Sequence, residues 1–245
     1  MWWERLAALG QGVAQLILPN SCLVCGILEP TCGTIRHGLC DACQKSICHD
    51  PHHVCLRCAA TVGPYVDTSL GCLACKSMSK NFECAWRMGP YEGQLREAIL
   101  LMKTPNGEGL AEQMGRHLCE VLLHKLQPMG IDLVVPVPIH WRRQWSRGHN
   151  QAAGLARMLA RGLNVQMVHA LQRTRHTPLQ ASATVTERRK NLRGAFAVRR
   201  ASRILNRVVL LVDDVMTTGS TANEASRALR QAGARKVYVA VLARR

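Results

Sequence analysis

Acidic residues are scarce. The chain has 16 Asp and Glu against 32 Lys and Arg, a net charge of +16. The shortage is local: residues 131–207 hold 15 Lys/Arg and 2 Asp/Glu, net +13, whereas 1–80 (+1), 81–130 (−1) and 208–245 (+3) lie near balance. Of the 32 basic residues 25 are Arg, whose planar fork suits phosphates. So confined an excess points to an anionic partner, a nucleic acid or a polyphosphate ligand, rather than to a merely solvated basic face. Aromatic residues make up only 4%, thin for a base-stacking surface, although Trp141 and Trp145 lie within an Arg-rich loop. No apolar run approaches the roughly 20 residues needed to span a bilayer, so no membrane insertion is expected. Residues 1–20 lack the charged start and small-residue cleavage site of a signal peptide. Leu6, Leu9, Val13, Leu16 and Ile17 recur there at helical spacing, which predicts an amphipathic helix. A cytoplasmic, soluble protein is expected. No Gly-Lys-Ser/Thr is present, which excludes a Walker loop.

Cysteine, by contrast, is abundant. Eight of 12 Cys form four Cys-x-x-Cys pairs: Cys22/Cys25, Cys40/Cys43, Cys55/Cys58 and Cys72/Cys75. The first and third pairs start 33 residues apart and the second and fourth 32, so one unit occurs twice. A two-residue gap lets one tight turn present two thiolates, and a second turn completes a tetrahedron. Two structural zinc ions are predicted, one on Cys22, Cys25, Cys40 and Cys43, the other on Cys55, Cys58, Cys72 and Cys75. Crossed pairing, one decayed site, and disulfides remain alternatives, the last suited to a secreted chain. Cys32 and Cys48, with His37, His49, His52 and His53, lie near enough in sequence to substitute as ligands. Cys84 and Cys119 read as small buried hydrophobes. Short ribbons held by metal are expected over 21–80.

From residue 81 to 245 the pattern becomes that of an α/β body, long enough for one full core. "CAWRMGPY" reads as a strand and "EGQLREAILLMK" as a helix. A second helix covers 109–126, and "IDLVVPVP" is a buried strand ending in prolines. Asn150 is placed to cap a helix over 151–163 that Gly162 ends, and "NVQMVHAL" reads as a strand. "RVVLLV" is a central buried strand, 221–231 the helix after it with Gly233 as its stop, and "KVYVAVLA" the last strand. Strands alternating with helices argue a parallel sheet with flanking helices.

Ligands of such sheets sit at the carboxyl ends of strands. There stand Asp213 and Asp214, followed by Val215, Met216, Thr217, Thr218, Gly219, Ser220 and Thr221. The spacing predicts backbone N–H groups, hydroxyls and a helix N-terminus converging on one point, a cradle for a phosphate monoester. Two carboxylates just upstream suit the neighbouring hydroxyls of a ribose, so ribose 5-phosphate fits.

Val208–Thr221 resembles the phosphoribosyl pyrophosphate signature of type I phosphoribosyltransferases. The Cys-x-x-Cys module, "YEGQLREAILLMK", "VVPVPIHWRRQWSRGHNQAAGLA", "LQRTRHTPLQ" and "ERRKNLRGAF" extend the likeness over almost the whole chain, which resembles the competence protein F (ComF) family. The resemblance implies a double zinc ribbon before a type I phosphoribosyltransferase-like domain, and a link to DNA uptake in natural transformation. It implies that Asp213 and Asp214 hold the ribose, and that 215–221 hold its phosphate. It also implies that Arg142, Arg143 and Arg147, with Lys103, bind pyrophosphate, and that Mg²⁺ accompanies phosphoribosyl pyrophosphate. Arg173, Arg175, Gln180, Arg188, Arg189 and Asn191 would lie on a segment covering the site. No hood that would select a nucleobase is evident. Three functions are compatible: a phosphoribosyltransferase, of the glycosyltransferase class, with an unidentified acceptor; a non-catalytic adaptor binding single-stranded DNA or sensing nucleotides; and a regulator coupled to a DNA-uptake helicase.

Overall fold

The computed structural model describes residues 21–28, 31, 33–76, 81–139, 145, 148–174 and 193–245. The helix expected over 1–20 lies outside them. The body is built on five parallel strands: β3 (Ala85–Pro90), β4 (Leu133–Pro136), β5 (Gln166–Met167), β8 (Val208–Met216) and β9 (Lys236–Arg244), in the order β3-β9-β8-β4-β5. Val208 to Val212 are each at most 2% exposed, because β8 is central and covered on both faces. Full burial of each such side chain is worth about 1.5–3 kcal/mol.

β8 runs four residues past the expected "RVVLLV", through both acids, and pairs with β9 as far as Met216↔Arg244. "NVQMVHAL" is not one strand. Only Gln166 and Met167 join the sheet, and β6 (Leu171–Arg173) leaves to pair antiparallel with β7 (Phe196–Val198). The helix that Asn150 opens ends at Gly162, as expected, and the chain reverses at Asn164, φ 54°.

Among the described residues the helices are α1 (Asp41–Ile47) and α2 (Leu73–Lys76) in the Cys-rich segment, and α3 (Gly93–Leu101), α4 (Glu108–Leu126), α5 (Gln151–Gly162) and α6 (Ser220–Gln231) in the body. Asn150 caps α5 as expected, its side chain accepting from Ala152 N at 3.1 Å. Leu110, Met114, Leu118 and Leu122 of α4 and Leu155 and Leu159 of α5 line one face of the core.

Between α3 and α4 the chain folds tightly over Gly107, where a Cβ would lie 2.5 Å from the Met102 carbonyl oxygen and 2.6 Å from that of Leu101. Backbone cannot yield as a side-chain tip can. Gly107→Ala is expected to destabilise by about 1–3 kcal/mol and to shift Lys103. A wild-type melting temperature would show that this turn relaxes freely.

The Cys-rich segment is not a free appendage. A hairpin of β1 (Ile35–Arg36) and β2 (Leu39–Cys40) leads into α1. Cys22, Leu39, Cys40, Cys43 and Ile47 share a core with Met88, Leu95 and Met114 of the body. The later cysteines form a small cluster of their own with Ala60 and Val62.

Candidate functional site

The eight paired cysteines gather into two sets, Cys22/Cys25/Cys40/Cys43 and Cys55/Cys58/Cys72/Cys75, each with all four sulfurs within 4.8 Å of one another. The pairing is uncrossed. Contacts within the sets include Cys25–Cys40 at 3.9 Å and Cys55–Cys75 and Cys58–Cys72 at 3.6 Å. Thiolates about 2.3 Å from a tetrahedral zinc ion stand roughly 3.8 Å apart, whereas disulfide sulfurs are about 2.0 Å apart. Both sets therefore fit a zinc ion, and the described cysteines are all free of disulfides. Burial alone would raise the Cys22 thiol, yet the amides of Cys25, Cys40 and Val24 draw it down to about 6. Cys55 is likewise drawn to about 6 by the amides of Arg57, Cys72 and Cys58. Backbone amides around the first cysteine of each set thus favour its thiolate, the form that binds zinc.

Cys48, His49, His52 and His53 stand outside both clusters, and Cys32 lies outside the described residues. Cys84 and Cys119, expected to be small buried hydrophobes, are partly buried and pack against the core, and burial pushes the Cys84 thiol up to about 11.

At the carboxyl end of β8 the two acids differ. Asp214 is buried, 7% exposed, with Lys103 Nζ 3.0 Å from its Oδ2 and the Gln151 amide donating to the same oxygen at 3.0 Å. Burial would raise its pKa, but Lys103 and the Gln151 donor overcome that and hold it below the usual carboxylate range. The Asp213 carboxyl, set into the sheet end, has no side-chain donor of that kind among the described residues, and its desolvation together with the adjacent Asp214 charge pushes it well above that range, against a smaller pull from Lys103. Each acid also accepts the following backbone amide: Asp214 N donates to Asp213 Oδ1 at 2.9 Å, and Val215 N to Asp214 Oδ1 at 2.7 Å. Thr217 is exposed, and Thr218 Oγ1 lies 2.8 Å from Ser220 Oγ. Gly219, at φ 76°, turns the chain into α6 in a conformation that costs other residues about 1–2 kcal/mol. Ser220 opens α6 and Thr221 follows it, so hydroxyls, amides and the helix N-terminus meet beside the acids.

Other elements converge on the same place. His149 Nε2 lies 2.9 Å from the Met102 carbonyl, tying the entry to α5 to the residue before Lys103. The Asn150 amide donates to Val137 O at 3.1 Å, joining the exit of β4 to the start of α5. The amide oxygen of Gln151 is buried without a partner among the described residues. The β6–β7 ribbon is closed by Thr174 N donating to Ala195 O at 2.9 Å, and is held to α6 by Gly194 N donating to Glu224 Oε1 at 2.6 Å. Arg173 stacks over Phe196 at 5.7 Å. Arg142, Arg143, Arg147, Arg175, Gln180, Arg188, Arg189 and Asn191 lie outside the described residues. Sequence reasoning missed Gln151 and also Arg244, whose guanidinium donates to the Met216 carbonyl at 3.2 Å. No local signal marks either, since Gln151 and Asp214 stand 63 positions apart.

A parallel sheet with an acid pair leading into a Thr/Gly/Ser loop defines a phosphoribosyltransferase-like protein of type I. The phosphoribosyl transferase domain family matches residues 149–245. Competence protein F of Haemophilus influenzae is 32% identical over 214 residues, 85% of this chain and 91% of that one. DNA utilization protein YhgH of Escherichia coli (strain K12) is 30% identical over 235 residues, 94% of this chain and 99% of that one. The chain belongs to the competence protein F family. Among solved structures, a glutamine phosphoribosylpyrophosphate amidotransferase from B. subtilis overlaps 56% of this chain and 27% of its own, with 18% identity and a TM-score of 0.38, too partial an overlap to bear on function. Among the described residues no helix is long and apolar enough to cross a membrane.

Proposed function

We propose that the chain binds ribose 5-phosphate or its pyrophosphate-activated form at the carboxyl end of β8, and that it serves DNA uptake in the cytoplasm of competent cells. The convergence of Lys103 and Gln151 on Asp214, with Asp213 beside it and the loop that opens α6 just downstream, is the observation that supports this most. Asp213 and Asp214 accept bonds from the ribose 2- and 3-hydroxyls. Lys103 and Gln151 fix the Asp214 carboxylate, and the unpartnered Gln151 oxygen accepts a further hydroxyl proton. Residues 215–221 receive the phosphate through their amides and hydroxyls. In this reading 21–80 is a double zinc-ribbon module and 81–245 the ligand-binding domain. Where turnover occurs, it is displacement at C1. Arg142, Arg143 and Arg147 steady the departing pyrophosphate, and Mg²⁺ carried by the ligand supplies charge neutralisation. Pyrophosphate release with a panel of amines and bases decides between transferase and sensor. Calorimetric binding without turnover makes it a sensor, and no heat with either sugar phosphate removes the reading.

A second reading, contact with single-stranded DNA, is favoured by one surface. At the amino ends of β8 and β9, opposite the cradle, Arg200, Arg203, Arg207, Arg235 and Lys236 are all exposed. Backbone bonds hold them together: Arg203 N to Arg200 O at 2.9 Å, and Arg235 N to Arg207 O at 2.8 Å. Among the described residues one carboxylate, Asp132, approaches, 3.9 Å from Arg207. Replacing Arg203, Arg207 and Arg235 by Ala is expected to weaken single-strand binding at least ~10-fold and to flatten its salt dependence by about 2 in slope. Unchanged affinity, with loss in Arg142→Ala/Arg143→Ala instead, would place the contact on the other loop.

A further inference from the structure

A cavity of about 340 Å³ lies against β3, two strands from β8 and outside the cradle. That is at the small end of the roughly 300–1,000 Å³ that small-ligand sites occupy. Ala85 to Met88 form one wall, residues between Cys48 and Ala59 another, and Val121, His124 and Lys125 at the end of α4 the third. The cavity thus exists only where the Cys-rich segment meets the body. Of the eight paired cysteines only Cys55 lines it, and no residue of 213–221 does. β3 ends the sheet order, so its outer edge has no partner strand in the sheet. Ala85 N donates outward there to Arg57 O at 3.2 Å, and Arg87, two residues on, turns its amide to the same side. The Arg87 side chain, 1% exposed, is fixed by Asp50 at 2.7 and 3.2 Å and by Thr61 at 2.8 Å. Those bonds use three of the five guanidinium N–H groups, and among the described residues the other two are left over.

Trp86 lines the cavity half-buried, its ring held by Tyr238 with centroids 5.5 Å apart. Met88, Val54 and Val121 add an apolar floor. The rim is basic. Lys125 and His124 are exposed, and among the described residues no carboxylate pairs with either. His52 Nδ1 lies 3.2 Å from Asp50 Oδ1, which leaves Nε2 turned away from that acid. Asp50, the one carboxylate among the described lining residues, is committed to Arg87. A fixed ring beside an apolar floor accepts a planar base, and a basic rim accepts a phosphate. We propose that this cavity binds a nucleoside phosphate, free or at the end of a single strand, with its base against Trp86 and its phosphate on Lys125, His124 and His52. The spare Arg87 donors serve a base carbonyl. This site is separate from the cradle and does not depend on the cradle reading.

The test is calorimetry on the full-length, zinc-loaded protein, titrated with adenosine 5′-monophosphate and thymidine 5′-monophosphate in saturating ribose 5-phosphate. Binding is expected to persist under those conditions and to be unchanged in Asp213→Asn. Lys125→Glu, at an exposed position, is expected to weaken it about 10-fold. Trp86→Ala should cost a similar factor, the usual loss of one stacked base. Should Trp86→Ala not fold, Trp86→Phe, which keeps a smaller ring, should weaken binding in the same direction. A 5′-phosphorylated oligonucleotide that displaces the nucleotide identifies a strand end as the source, and failure to displace it identifies the free nucleotide. Wild-type affinity in both Lys125→Glu and the folded Trp86 variant overturns the site, as does the absence of heat at millimolar nucleotide. Inorganic phosphate binding as tightly as the nucleotides overturns the role of the ring. Displacement by ribose 5-phosphate assigns the nucleotide to the cradle and overturns the second site.

Discussion

Asp213→Asn is expected to raise the melting temperature while reducing affinity for ribose 5-phosphate about 100-fold, and Asp214→Asn to lower both. The two acids are adjacent in sequence but opposite in energetics. Asp213 has its pKa raised, by burial and then by Asp214, so its ionised form costs stability in the free protein. A carboxyl with a raised pKa contributes stability at low pH that is lost as pH rises through the folded value. Asn keeps the acceptor for the Asp214 amide and removes the repulsion, a gain of about 1 kcal/mol. It also removes the charged acceptor for a ribose hydroxyl, worth about 1.5–3 kcal/mol. Asp214 has a lowered pKa against the pull of burial, through Lys103 and Gln151. Its contribution is present above the ordinary carboxylate pKa and is lost as pH falls through the folded value. Asp214→Asn strands Lys103. Breaking a fully buried pair costs about 3–5 kcal/mol; with Lys103 25% exposed, about 2–3 is expected here. Melting curves and calorimetry of the two variants check this. The same sign in both would show that the pair does not divide its labour.

Emptying the two zinc sites should have unequal consequences. Structural zinc contributes apparent binding energies of about 10–16 kcal/mol in small domains. The first site shares its core with the body: Leu39 and Ile47, at 0% and 1% exposure, belong to one cluster with Cys40, Cys43, Met88 and Leu95. Cys43→Ser is expected to expose that layer and lower the stability of the whole body by several kcal/mol, on the scale of losing two or three buried side chains. Cys58→Ser breaks a cluster with its own small core, so global unfolding should move by no more than about 1–2 kcal/mol. Thermal unfolding and zinc content measured together check this. Equal destabilisation by both variants would mean that the second cluster is as deeply built into the core as the first.

Much of this was legible in the sequence because it is local. Two cysteines with two residues between them, a repeat of 33 and 32 residues, and Asn150 before an amphipathic run each specify a short structure by themselves. "RVVLLV" declared a buried strand. Its extension through two acids was not legible, because Asp usually ends a strand. Here each carboxylate takes up the next backbone amide, and β9 continues alongside. "NVQMVHAL" misled for the converse reason: its apolar alternation is real, but Val168 and Leu171 are buried in the second core cluster while the chain departs into the β6–β7 ribbon. The contacts that arm the cradle could not be read at all. Lys103 to Asp214, Gln151 to Asp214 and Arg244 to Met216 join distant segments that only the sheet order brings to one end.

The central claim is one anion pocket at the head of α6. A crystal of the zinc-loaded protein soaked with ribose 5-phosphate tests it most directly. The phosphate should lie on the amides and hydroxyls of 217–221, with the 2- and 3-hydroxyls on Asp213 and Asp214. A sugar phosphate bound at any other place, or an empty loop at saturating concentration, would contradict it.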